Sequence, residues 1–310
     1  MYVLVPKQIG DSMMLPGTIP AVDTAAGEAL WVAGQAVSVG NERNYGQTIY
    51  RCAVVPVNLN TPPDQDPVGW APIRPTNRYA PFDTYVQTAQ VNCLGSLSYV
   101  LKVPFINGLA LHGLMGKRLR ITVTDGVGGP NLIPPIDTGL NLPRIGWWNY
   151  FFGERTPTKA YRIENIPSKS STVITVTVSA DAAQQVGIGW MSIGNWTSFG
   201  MTSVGVSSGT QYGASADLTN YSYRKEFEDG TFRLVTRGSA VNLTLPVVID
   251  AEETNRLFAL IERLKDTPVS VFASSLGKYR YLATVGQISI GWQPDTSRTT
   301  TLTVNVKGVV

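Results

Sequence analysis

The residue that most resembles a nucleophile is Ser207, in Gly205-Val206-Ser207-Ser208-Gly209. Its G-x-S-x-G spacing matches a serine held on a tight strand-to-helix turn for acyl transfer, a chemistry that needs a histidine base later in the chain. The chain has one histidine, His112, which precedes the serine, and no helical periodicity follows Ser207. The segment therefore reads as a Gly/Ser-rich loop. His112 lies in the apolar stretch Phe105-Ile106-Asn107-Gly108-Leu109-Ala110-Leu111-His112, which suits a core or edge histidine better than a base. Asn60, Asp64 and Asp66 place three oxygen-bearing side chains in one loop, a set that calcium can use. No glycine or glutamate stands at the fixed spacing of a calcium loop, so a solvated loop is expected. Glu226, Glu228 and Asp229 offer the paired carboxylates of a glycosidase. They sit instead in alternating charge that runs into Gly230, as on the outer face of a hairpin. No P-loop, dinucleotide fingerprint or paired C-x-x-C occurs. The residues point away from an enzyme, and no cofactor and no metal is expected.

The elements that must position these residues are mostly strands. At 310 residues, with 43% hydrophobic side chains, the chain has material for two or three cored domains. Charged residues make up 15%, against roughly 25% in an average soluble protein. Lys+Arg 25 against Asp+Glu 22 leaves a formal charge of +3, too weak and scattered for a nucleic-acid binder. No run approaches the roughly 18 apolar residues of a membrane helix, so no membrane insertion is expected. The opening residues lack the basic and apolar regions of a secretory signal. Cys52 and Cys93 cannot form a disulfide framework; two separate buried thiols in a reducing cytoplasm are expected, with a single bridge left open.

Four stretches follow from the punctuation. Residues 1–25, dotted with Pro6, Pro16 and Pro20, read as an extended N-terminal arm unable to bury a core alone. Residues 26–75 read as a small β module, with short apolar runs at 36–39 and 48–55 between dense turns. Residues 76–210 read as a jelly-roll-like β-sandwich, from the period-two runs at 119–124 and 172–179. Glycines at 187, 189 and 194 point to close backbone approach there. Residues 211–310 read as an α+β domain with one main helix. Its apolar stripe is Leu257, Phe258, Leu260, Ile261 and Leu264, with Asp250 and Glu253 as a capping pair. The fold class expected is mainly β.

Two resemblances sharpen this reading. Trp31, Gly34 and Val37, then Tyr50 and Cys52, then Pro62 and Trp70 resemble the small carbohydrate-binding module appended to many chitinases. The resemblance implies that Trp31, Tyr50 and Trp70 stack on sugar rings, whose C–H edges suit a flat aromatic face. The same three rings also suit the whole core of so small a module. More broadly, several blocks in order resemble a family of tailed-bacteriophage virion proteins. They are the opening M-Y-V-L-x-P…D-S-M, residues 70–83, Trp148-Asn149-Tyr150-Phe151-Phe152, Tyr221-Ser222-Tyr223-Arg224-Lys225-Glu226-Phe227, and Thr236-Arg237-Gly238 leading to the helix and Pro268-Val269-Ser270-Val271-Phe272. Arg74, Tyr79, Pro81 and Asn220 depart from that family's usual residues. The resemblance implies a structural protein of the phage tail, at the tip, baseplate, collar or fibre-attachment region, assembled in the host cytoplasm. Its expected partners are itself, as a cyclic homo-oligomer, and other tail proteins. The alternatives are a tail protein that binds host-surface glycans and a polysaccharide depolymerase.

Overall fold

The structure, a computed structural model, describes residues 1–18, 28–83, 86, 93–142, 146–154, 156–200, 209–227 and 231–309. Over these the protein is mainly β, with one main helix near the C-terminal end. Among the described residues no helix is long and apolar enough to cross a membrane.

Strand β1 (Tyr2–Pro6) is followed by a three-stranded antiparallel module of β2 (Glu42–Tyr45), β3 (Thr48–Cys52) and β4 (Trp70–Pro75). The β2–β3 turn is tight because Gly46 takes φ +62, a conformation open to glycine at no steric cost. The run at 36–39 forms no strand, and Val39 is exposed. Glu28, whose side chain is fully buried, ties the module to the next block by accepting hydrogen bonds from the Asn77 amide and, at 3.1 Å, from Arg74.

The sandwich follows. Strands β5 (Ser96–Lys102), β6 (Gly108–Met115), β7 (Arg118–Asp125), β8 (Ile136–Gly139), helix α1 (Trp147–Phe152), β9 (Ala160–Ile163), β10 (Thr172–Ser179) and β11 (Gly187–Ser198) come in that chain order. Four of them make one sheet in the order β5-β10-β7-β8. Their alternate residues Leu97, Tyr99, Ile121, Val123, Ile174 and Val176 pack with Leu109, Leu111, Met191 and Ile193 of β6 and β11 in one core. The remaining elements are β12 (Gly209–Thr210), β13 (Ser215–Asn220), β14 (Tyr223–Glu226), β15 (Phe232–Val235), β16 (Ser239–Asp250), α2 (Thr254–Leu264), β17 (Val269–Phe272), β18 (Ala283–Pro294) and β19 (Thr299–Gly308). A second core joins Leu243, Leu245, Val247, Leu302 and Val304 to Leu257 and Leu264 of α2.

A ten-stranded sheet spans both cores, in the order β12-β16-β19-β18-β17-β1-β11-β6-β9 with β13 also on β16. Strand β1 lies inside it, between β17 and β11. Residues 2–6 are thus an interior strand, not a free arm: Val3 pairs with Thr197 on one side and Val271 on the other. Val3 and Leu4 are both fully buried, on opposite faces of the strand, and Val3 belongs to the second core. Further along the same stretch, Leu15 donates to the Val100 carbonyl at 2.8 Å and Thr18 Oγ1 accepts from the Val100 amide at 3.1 Å, which covers the free edge of β5. Residues 19–25 of the expected arm lie outside the described residues. Glycine permits the tight β1–β11 pairing, since a Cβ at Gly194 would sit 1.9 Å from the Val5 carbonyl oxygen.

The helix begins later than its sequence signals suggest. Asp250 is the last residue of β16, held opposite Thr299, and a 3-10 turn over Ala251–Glu253 intervenes. Neither Asp250 nor Glu253 makes a side-chain cap, so the expected capping pair does not form.

Candidate functional site

The three rings expected to stack on sugar do not share an exposed face. Trp70, paired with Cys52 across β3–β4, is 2% exposed. The module's valines 32, 39, 54, 55, 57 and 68 all point to solvent, so Trp70, Ile49 and Cys52 are left to fill its interior. The assignment of Trp70 to a glycan platform is therefore corrected: its ring is core. Trp31 is half-buried and packs edge-on against Tyr45, with ring centroids 5.5 Å apart. Tyr50 is also half-buried, and partial burial with the nearby Asp64 carboxylate pushes its hydroxyl above the usual tyrosine range.

His112 is partly buried on β6. Its Nε2 lies 3.0 Å from Ser270 Oγ on β17, although β1 and β11 separate these strands in the sheet. A flat sheet would hold them ~14 Å apart, so the large sheet curls until its two halves touch. Desolvation, then the Arg162 cation, lower the histidine pKa to about 4, which keeps the ring neutral at pH 7. Arg162 itself donates to the Ser274 carbonyl at 3.0 Å and lies 3.6 Å over the Phe272 ring. The His112–Ser270 and Arg162–Ser274 bonds latch one half of the molecule to the other. A general base would want a carboxylate orienting its imidazole; the charge acting on this one is a guanidinium.

The other candidates do not gather. Asp66 Oδ1 accepts from the Gly69 amide at 2.9 Å, closing its own loop. Among the described residues no three His, Cys, Asp or Glu side chains come together as metal ligands would. Glu226 is exposed on β14 and paired with Arg224 at 3.0 Å, while Ser207, Glu228 and Asp229 lie outside the described residues. Cys52 and Cys93 are two separate buried thiols with no disulfide between them.

What sequence reasoning passed over is a pair of protrusions. Residues 140–142 and 156–158 form a narrow antiparallel ribbon, through Leu142 N–Thr156 O at 2.9 Å and Thr158 N–Leu140 O at 3.1 Å. Helix α1 stands at its tip, begun by Gly146 at φ +87. Trp147, Trp148, Tyr150, Phe151 and Phe152 are all 62–71% exposed. At 3.6 residues per turn they cover an arc of about 200°, with Asn149 behind them. The rings lean on one another, Trp148 and Phe152 at 4.6 Å and Tyr150 and Phe151 at 5.2 Å.

The second protrusion is the β14–β15 arm, which extends the β13–β16 pair beyond its core through Tyr221 N–Gly238 O at 3.2 Å. Every residue of β14 and β15 is exposed, Tyr223, Phe232, Leu234 and Val235 among them. The Arg224 guanidinium lies 4.3 Å over Phe232, and the Lys225 ammonium 5.4 Å from the centre of Phe227. The signal for both surfaces was present as aromatic density in 147–152 and 221–235, but aromatic density alone does not distinguish an interior from a docking face. No protein-family model, curated protein or solved structure matches the chain.

Proposed function

We propose that the chain is a structural component of a bacteriophage tail, in the tip, baseplate, collar or fibre-attachment region, that assembles with copies of itself and docks other tail proteins. The observation that carries this reading is the pair of solvated aromatic protrusions, α1 and the β14–β15 arm, on a body with two closed cores. A two-stranded ribbon with no third strand or helix against it is only marginally stable in water. Apolar side chains displayed on such ribbons suit a surface covered on assembly, and low charge is characteristic of interface centres. The ordered blocks at 70–83, 148–152 and 221–227, which resemble tail-associated virion proteins, support the same reading.

The test is imaging of intact particles with a gold-tagged version of the chain. Density in the tail is expected; particles whose tails lack the tag overturn the proposal. The host-glycan alternative now rests on Trp31 and Tyr50, and a glycan array without a ligand would remove it. The depolymerase alternative retains Glu226 as its one described carboxylate. Unchanged polysaccharide cleavage by a Glu226→Gln, Glu228→Gln, Asp229→Asn variant would dismiss those three residues.

A further inference from the structure

We infer that α1 of one copy seats on the β14–β15 arm of the next, the two protrusions being the two halves of one head-to-tail contact. This rests on the self-assembly reading and names its surfaces. The chemistry of the two halves is complementary. Helix α1 presents five rings and no charged side chain within Trp147–Phe152. Aromatic faces carry the negative lobe of a quadrupole and attract cations, arginine above all.

The arm supplies those cations among apolar residues. Alternation along its strands puts Tyr223, Lys225, Arg233 and Val235 on one face, since Tyr223 pairs with Val235 and Lys225 with Arg233. Like charges directly across a strand pair are destabilising, and Lys225 opposite Arg233 is such a pair. A neighbouring copy's ring faces would relieve it. On the other face Arg224 already lies over Phe232, one ring against one side of a planar group whose second side can take another.

The areas agree with this use. Five aromatic side chains at about two-thirds exposure present roughly 650 Å², close to the ~800 Å² a side that a stable pair of proteins buries. Because donor and acceptor surfaces differ, the contact is heterologous. Repetition then closes into a ring or continues as a helix.

The experiment uses chains bearing one added cysteine each, Phe151→Cys in one preparation and Val235→Cys, on the Lys225–Arg233 face, in another. Both positions are exposed, so neither change disturbs a core, and the native Cys52 and Cys93 are buried and give little background. Under mild oxidation, the mixture is expected to yield a disulfide-linked dimer in roughly tenfold excess over either preparation alone. In parallel, Lys225→Glu with Arg233→Glu is expected to weaken association of the wild-type background roughly tenfold, and Lys225→Arg with Arg233→Lys to leave it intact. A wild-type chain that sediments as an oligomer without the mixed dimer, or whose association ignores the charge reversal, overturns this contact and leaves self-assembly standing. A wild-type chain that stays monomeric at every concentration overturns both.

Discussion

At Trp70 the indole is enclosed and its Nε1 has no hydrogen-bond partner among the described residues, so the ring serves the module through packing alone. Trp70→Ala is expected to cost ~3–5 kcal/mol, as large aromatic truncations in cores do. Hydrogen exchange should show the loss within residues 28–75, with Ile49 and Cys52 amides losing protection first. A sugar-stacking tryptophan would lose affinity and keep its protection. His112 sets a pH dependence whose sign is fixed by its lowered pKa. The unfolded ring takes a proton near pH 6.5 and the folded ring only near 4. The stabilising contribution is therefore whole above pH 6.5, declines as pH falls towards 4, and is constant below that. Its size is on the order of 2–3 kcal/mol. Urea melts between pH 4 and 7 should show this slope, and His112→Gln should flatten it while retaining a polar partner for Ser270. The packed setting of His112 was legible in its apolar neighbours. That Trp70 is interior was not, because W, Y and C at these spacings suit a sugar platform and a miniature core alike.

At the scale of elements, β1 is the one that joins the strands of the two cores. Leu4, paired with Trp196 of β11, is fully buried, so Leu4→Ala is expected to cost ~2–5 kcal/mol. The accompanying urea transition should shift for tryptophans on both sides of the strand, Trp196 as well as Trp292. The arm is expected to behave in the opposite way. Replacing residues 223–235 by a short turn removes, among the described residues, only exposed ones, so the melting midpoint should hold within about 1 kcal/mol, while sedimentation should report loss of oligomers. The period-two runs at 119–124 and 172–179 and the stripe of α2 were readable because each carries its own periodicity. Strand β1 was not: five residues beside a proline say nothing of partners near residues 197 and 271. Helix α1 escaped for a related reason, since aromatics at 147, 148, 151 and 152 have the spacing of a buried helix face, while among the described residues their side chains are exposed.

For the whole molecule, the mainly β class and the single C-terminal helix follow from composition and pattern. The chain holds two hydrophobic cores, and one continuous sheet spans both. Periodicity reports which face of a strand is buried and not which strand lies beside it, so the shared sheet could not be read from sequence. Purified chain is expected to sediment as a discrete multimer of the 33.5 kDa protomer, with dissociation at high salt modest because the proposed contact is apolar with few charges. The position of β1 has a consequence for biosynthesis. Its partners around Thr197 and Val271 leave the ribosome long after Val3 does. At ~5–20 residues per second, the nascent first strand waits roughly ten to fifty seconds for a mate. Throughout that interval its apolar side chains lack their partners, and a ribosome stalled before residue 271 releases a polypeptide in which β1 has no β17 to pair with.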